Sequence, residues 1–491
     1  MTLQQLLAPL AIRSSTGDCS VEVKRVLCDS RKVSDGDVFV AVHNHYYNGH
    51  DYIQSALDAG AAAIIHSEDL PDGLETSAPC VRIHNTMDAL GMLCAFNSGE
   101  PSRSMRLIGV TGTNGKTTTC HMIESILQAA NVPTGHVGTT GARFGETEID
   151  TGLTTPEAPE LQDLLAKMVE GGVQSAAIEV SSHGIALGRV SACHFAVGVF
   201  TGMGRDHLDF HGSQEEYQET KVNWLLDDVQ QSAGLCGAVV PFDDEAGQEV
   251  YREFRGRILS FGFDDDADIY PDELELTATG TRGRVVTPYG TLSLFLNVAG
   301  RHNVRNALAA IGVAHLLDIE AIAVVEGLQR FQGVTGRFHS VPNDRGLQIY
   351  VDYAHTPDAL RAAVQSLNEV TDKNVVVVFG CGGDRDASKR PEMGAVAAEF
   401  ANTLVVTSDN PRSEDPDSII KDIVSGIPES FDASSVVVEV DRAKAIAQAL
   451  SLAKEGDAVL IAGKGHETKQ IIGDQVLPFD DRLVVEEALS L

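Results

Sequence analysis

The residues best suited to chemistry in this 491-residue chain lie between positions 112 and 118: Gly112, Thr113, Asn114, Gly115, Lys116, Thr117 and Thr118. They follow the apolar pair Leu107 and Ile108 and precede Met122, Ile123, Ile126, Leu127 and Ala130 at helical spacing, so the stretch reads strand, glycine turn, helix. Such a turn aims backbone N–H groups and a helix N-terminus at one point, which suits a phosphate. Lys116 is placed to reach terminal phosphates, and the Thr117 hydroxyl to hold Mg²⁺. The form is shorter than the usual phosphate loop, because Val110 stands where a glycine is expected five residues before Gly115. The stretch points to an ATP site and leaves open what the ATP activates.

Further polar residues follow apolar runs. Glu179 ends the run 176–178, and His207 lies in a polar cluster after Phe195–Phe200. Open α/β sheets bind ligands outside the carboxyl ends of their strands, so Glu179 and His207 are candidate Mg²⁺ ligands beside Thr117. Lys221, on a helix predicted over 215–226, reads from spacing alone as a solvated charge, and Asp264, Asp265 and Asp266 read as a solvated loop. Near the C-terminus, Arg385, then Asp409, Asn410, Pro411 and Arg412, then Gly463 and Glu467 each follow a predicted strand. Guanidinium forks suit carboxylates, and two of them beside Asp409 and Glu467 make a site for a zwitterion such as an amino acid.

The elements that must position these residues suggest an α/β fold in three domains. Short apolar runs at 38–42, 61–65 and 81–83 with a helical stretch at 52–59 form a small N-terminal α/β domain, 1–86. A central P-loop ATPase domain spans 87–335. Beyond the glycine-punctuated stretch 333–336, strands and helices alternate regularly through 491, which predicts a C-terminal Rossmann-like domain with a parallel sheet and helices on both faces.

Bulk properties narrow the function. A net charge of −33, from 37 basic and 70 acidic residues, argues against a nucleic-acid partner. Eight scattered cysteines without a C-x-x-C pair indicate neither a zinc site nor a disulfide framework, and a reduced cytoplasm fits them. The N-terminus lacks the basic region of a signal peptide, and no apolar run approaches the roughly 18 residues of a membrane span. No membrane partner is expected, and a monomer is the default.

Taken together, the clusters 111–118, 179–183, 205–209, 351–357, 382–386, 409–412 and 463–467 resemble, in order, those of the Mur ligase family, over nearly the whole chain. The resemblance is greatest to members that add 2,6-diaminopimelate to UDP-N-acetylmuramoyl-L-alanyl-D-glutamate. It implies an ATP- and Mg²⁺-dependent ligase of cytoplasmic cell-wall precursor synthesis. By that resemblance Cys28, Ser30, His45, Tyr46 and Tyr47 would contact the nucleotide sugar, and Thr154, Thr155, Ser181 and Arg189 its remainder. Asn303, Asn306, Arg337 and Asp352 would serve ATP, while Arg385, Asp409, Asn410, Pro411, Arg412, Gly463 and Glu467 would hold diaminopimelate. Lys221 falls where the family carries a carbamylated lysine, which would turn a cation into an oxygen ligand for metal and substrate; with Lys116, Glu179 and His207 it would form the catalytic set. The chain departs from the family pattern at Asn44, Asn48, Leu153, Gly202, Gly204, Pro241, His302 and His339. The rivals are a folylpolyglutamate synthase, which the first domain and the Asp409–Arg412 cluster oppose; a GTPase, for which no Asn-Lys pair exists; and a degenerate scaffold, which the intact Lys116, Glu179, His207 and Lys221 oppose.

Overall fold

A computed structural model of the chain describes residues 1–44, 46–232 and 237–490. Three α/β units follow one another. In the first, strands Val26–Leu27, Val38–Val40, Ala63–His66 and Cys80–Ile83 run parallel, and Ile12–Thr16 closes one edge antiparallel. Helix Thr86–Asn97 buries Ala89, Leu90, Leu93 and Cys94 in the core of this sheet. On packing it belongs to the first unit, whereas the sequence reading began the central domain at residue 87.

The central sheet has six parallel strands in the order Arg257–Phe261, Gly237–Pro241, Phe195–Phe200, Arg106–Thr111, Ser175–Glu179, Thr134–Gly138, extended by the antiparallel Gly141–Phe144 and Thr147–Ile149. Arg106–Thr111 is flanked by Ser175–Glu179 and Phe195–Phe200, two strands that come after it in the chain. Loops leaving its carboxyl end therefore diverge to opposite sides, and a crevice opens there. The helix Lys116–Ala129 packs beneath Arg301–Leu316 and Ala321–Arg330, and the antiparallel meander 270–296 shares that core through Val285, Leu294 and Leu296.

The third unit is a six-stranded sheet ordered His339–Val341, Gln348–Asp352, Ala458–Ala462, Val375–Phe379, Thr403–Val406, Val436–Val438. All neighbours are parallel except the first pair. Separate apolar clusters cover its two faces, as strands buried on both sides require.

Candidate active site

The phosphate loop is built by two conformational demands. Gly112 and Gly115 have φ of +138° and +87°, and a side chain on Gly115 would fall 2.4 Å from Asn306 Oδ1. The loop can therefore turn tightly and deliver Lys116 at the start of its helix. Lys116 Nζ donates to the carbonyls of Gly112 at 2.8 Å and Thr113 at 2.9 Å, tracing the loop that would surround a phosphate. Burial pushes its pKa down. Thr118 is buried beside it, and Asn114 O accepts from the Thr201 hydroxyl.

Thr117 is the centre of the arrangement. Its hydroxyl donates to Glu179 Oε2 at 2.9 Å and receives Arg337 Nη2 at 3.2 Å. Glu179, 1% exposed, also accepts from Thr139 N at 2.8 Å and the Thr139 hydroxyl at 3.1 Å. Two oxygen donors from separate elements thus meet at the helix start, a set suited to a hard cation. Arg337 lies over the Tyr353 ring, 4.4 Å from its centroid, and Asp352 accepts from the backbone N–H groups of Phe338 and Ala354. Asn303 and Asn306 are buried on the helix facing the loop. A cleft of about 500 Å³ joins these groups to Thr154, Ser181, His207 and Lys221.

His207 has a left-handed backbone, φ +56°, and ring contacts with His183 at 4.7 Å. Burial holds its pKa at about 3, against the pull of Asp206. Lys221 corrects the solvated reading drawn from spacing: it is 1% exposed. Its Nζ donates to Gly112 O at 3.0 Å and to the Thr111 hydroxyl at 3.5 Å and lies 4.8 Å over the Tyr217 ring, with no ion-pair partner among the described residues. Burial, then the charge of Lys116, pushes its pKa well below the lysine range. The helix carrying it ends at Asn223 and continues as a wide turn through Val229.

Thr155 orders the flank of the cleft. Its hydroxyl donates to Glu179 O at 2.7 Å and lies 3.0 Å from Ser181 Oγ, while Arg189 donates to Thr155 O at 3.0 Å and pairs with Glu157. Thr154 reaches Thr139 at 3.1 Å. The Tyr47 hydroxyl is held to about 12, and the Cys28 thiol to about 12, by burial against the Glu157 charge. Tyr46 stacks on Phe210 at 5.8 Å, and Phe210 stacks on His183 at 4.1 Å, so the first unit reaches the central cleft through aromatic rings. Ser30 opens the 3₁₀ turn Ser30–Lys32 beside Asp29. His45 lies outside the described residues.

A second constellation forms at the carboxyl ends of the C-terminal strands. Asn410 Nδ2 donates to Glu467 Oε2 at 2.8 Å, and the fully buried Lys464 donates to Glu467 at 2.9 Å and to Asn410 Oδ1 at 3.1 Å. Asp409 Oδ2 is buried, without a hydrogen-bond partner among the described residues, against Gly463, where a Cβ would fall 2.6 Å away. Arg412, φ +53°, donates through Nη1 to Gly383 O at 2.6 Å, and Pro411 packs its carbonyl against Gly383. Arg385 is exposed and donates to Asp384 O. The sequence reading missed Lys464 and Arg442. Arg442, paired with Asp481 at 2.7 Å with both side chains 0% exposed, donates to Ser408 O and Ala462 O, the carbonyls just before Asp409 and Gly463.

Family models match in three blocks: the Mur ligase family catalytic domain at residues 22–97, the Mur ligase middle domain at 110–314, and the Mur ligase glutamate ligase domain at 336–465. The chain is 41% identical to the UDP-N-acetylmuramoyl-L-alanyl-D-glutamate--2,6-diaminopimelate ligase of Gloeobacter violaceus, over 100% of this chain and 98% of that one. It is 37% identical to the ligase of the same name from Listeria innocua, over the full length of both. A solved structure of a ligase of that name aligns at TM-score 0.71 with 31% identity, covering 100% of this chain and 99% of the other. A MurF from Acinetobacter baumannii, at TM-score 0.67 and 22% identity over 94% and 95% of the two chains, shares the fold. Three matched domains in order and full-length relatives above 35% identity establish that the chain belongs to the Mur ligase family.

Proposed function

We propose that this protein is the ATP-dependent ligase that joins meso-2,6-diaminopimelate to the D-glutamate of UDP-N-acetylmuramoyl-L-alanyl-D-glutamate in the cytoplasm. The observation that carries the reading is the meeting at Thr117 Oγ1, where the phosphate-loop helix, the buried Glu179 and Arg337 from the opening of the C-terminal unit share one hydroxyl. Such a junction suits a reaction in which one domain activates a substrate and another supplies its partner. The names of the full-length relatives supply the substrates.

A carboxylate resists an amine because it is anionic and has no leaving group. Transfer of the γ-phosphoryl group of ATP to a carboxylate oxygen removes both obstacles, and ADP leaves with the electron pair of the broken P–O bond. The neutral amine of diaminopimelate then attacks the carbonyl carbon, and phosphate departs as the amide forms. Lys116 neutralises charge on the phosphoryl oxygens, and the loop N–H groups fix their position. Mg²⁺, when bound, supplies further charge neutralisation, and the oxygen donors of Thr117 and Glu179, with His207, fit it. Lys221, buried without a carboxylate partner, is suited to carry carbon dioxide as a carbamate and so add oxygen ligands. Thr154, Thr155, Ser181 and Arg189 border the path of the nucleotide-linked substrate. Arg385, Asn410, Arg412 and Glu467 are the acid- and amine-reading groups for diaminopimelate, with Lys464 fixing Glu467.

The test is phosphate release from ATP with the UDP-dipeptide and diaminopimelate, lysine or no amino acid. Release only with diaminopimelate is expected. Release with lysine in its place sinks the substrate assignment, and release independent of any amino acid sinks the ligase.

A further inference from the structure

One turn along the phosphate-loop helix from Thr117, His121 and Glu124 face His136 on the strand Thr134–Gly138. One donor atom from each of the three lies within 4.8 Å of the others, and the two imidazoles approach to 4.4 Å between centroids. Glu124 and His136 are 4% and 1% exposed. An interface between a helix and a sheet is ordinarily filled by apolar side chains, and no step of the ligase reaction uses these groups.

Their polar atoms are incompletely satisfied. The Thr140 hydroxyl lies 3.2 Å from His121 Nε2 and 3.4 Å from His136 Nε2, while His136 Nδ1 is buried with no hydrogen-bond partner among the described residues. A buried polar nitrogen left unpaired marks a missing ligand or a standing cost. Two imidazoles and a carboxylate are the donor set of a borderline transition metal, whereas Mg²⁺ seeks oxygen alone.

The geometry points to a binding site for a Zn²⁺-class divalent ion held by His121, Glu124 and His136, with the Thr140 hydroxyl or water completing a tetrahedron. Metal bonds of about 2.0–2.2 Å require the donors to draw together by roughly 1 Å, within the reach of small side-chain rotations. Arg143 donates to Glu124 Oε2 at 2.6 Å and Gln128 to Oε1 at 3.2 Å. The Arg143 side chain is 41% exposed, so its charge can swing towards water, leaving Gln128 as the outer partner that metal-bound carboxylates usually keep. Occupancy ties the helix to the strand just ahead of Thr139, the residue that fixes Glu179. The ion therefore acts as a clamp beside the catalytic cleft rather than as a reactant.

The test loads the full chain with Co²⁺ in excess Mg²⁺ and reads visible absorption. The expected result is one Co²⁺ per chain with the intense bands of tetrahedral coordination, displaced by Zn²⁺. The bands should vanish in a His121→Asn/His136→Asn variant and persist in His207→Asn, which removes the histidine of the proposed Mg²⁺ site. Because the double change disturbs buried packing, Glu124→Gln is the second variant. It should raise the Co²⁺ dissociation constant more than about tenfold, the least that even an outer-partner loss costs, with circular dichroism unchanged. Absence of tetrahedral bands at stoichiometric Co²⁺ overturns the proposal. So do bands that survive Glu124→Gln at unchanged affinity, or that disappear in His207→Asn.

Discussion

At the scale of single residues, the proposed reaction gives Lys116 and Arg412 separable tasks. Lys116 would stabilise charge that develops during phosphoryl transfer, so Lys116→Ala should lower kcat by about 10²–10³ while the thermal midpoint stays near that of the parent. A loss confined to KM for ATP would contradict that role. On the proposed function, Arg412 would read a carboxylate through a planar fork held by Gly383 O, which an ammonium cannot copy. Arg412→Lys should raise KM for diaminopimelate about ten- to hundredfold, the worth of a charge-assisted hydrogen bond, with the KM for ATP unchanged. Equal KM values for diaminopimelate would remove Arg412 from the pocket. Much of this was legible because residue type and spacing carry it: a glycine turn ahead of Lys116, a glutamate at a strand end, arginines after strands. Burial was not legible. Nothing in the spacing of Lys221 or Lys464 distinguishes a solvated lysine from one enclosed by partners such as Gly112 and Asn410, 109 and 54 residues away along the chain.

At the scale of elements, the P-loop helix depends on close approach. Gly327 on the helix Ala321–Arg330 offers no room, since a Cβ there would fall 2.4 Å from Ile126 Cα, and Ser125 donates to Gly327 O at 2.6 Å. Gly327→Ala should destabilise the fold by about 1–3 kcal/mol, measured by denaturant midpoint, because backbone has to move. An unchanged midpoint would show that the helices slide apart freely. The alternating strands and helices of the third unit were readable because each buried strand is a short apolar run. The meander 270–296 went unread although Leu274 and Leu276 alternate with the exposed Glu273, Glu275 and Thr277, as a half-buried strand should. The wide turn after Asn223 was also hidden: Trp224 must wedge beneath Gly109 and against Phe195, a tertiary demand that no local pattern encodes. The helix Lys389–Phe400 starts ahead of Pro391, because a proline in the first turn gives up only an N–H that has no partner within the helix.

At the scale of the whole molecule, the central and C-terminal units are joined by polar links besides that of Arg337 to Thr117. Arg205 N donates to Asp358 at 3.1 Å and Arg205 Nη2 to Ser388 at 3.2 Å, and His302 lies within hydrogen-bond distance of Ser366, against the Phe338 ring. Burial lowers the His302 pKa below its ordinary value of 6.5, with Asp352 opposing. The folded state thus binds fewer protons at this site than the unfolded chain, so the contribution is whole above pH 6.5 and is lost as pH falls below it. His302→Phe should therefore show a smaller fall in thermal midpoint between pH 7 and pH 5 than the parent. An identical fall would place the acid sensitivity elsewhere.

The buried pair of Arg442 and Asp481 makes one end of the C-terminal sheet depend on a segment that touches none of its loops in sequence. The carbonyls before Asp409 and Gly463 are pinned by a guanidinium whose counter-charge lies in the helix Asp481–Ser490. Removing that counter-charge would leave a buried guanidinium without its fork partner, a change that costs about 3–5 kcal/mol. Asp481→Ala should therefore loosen the turn at Asp409 and Gly463 while the phosphate loop, in another unit, keeps its form.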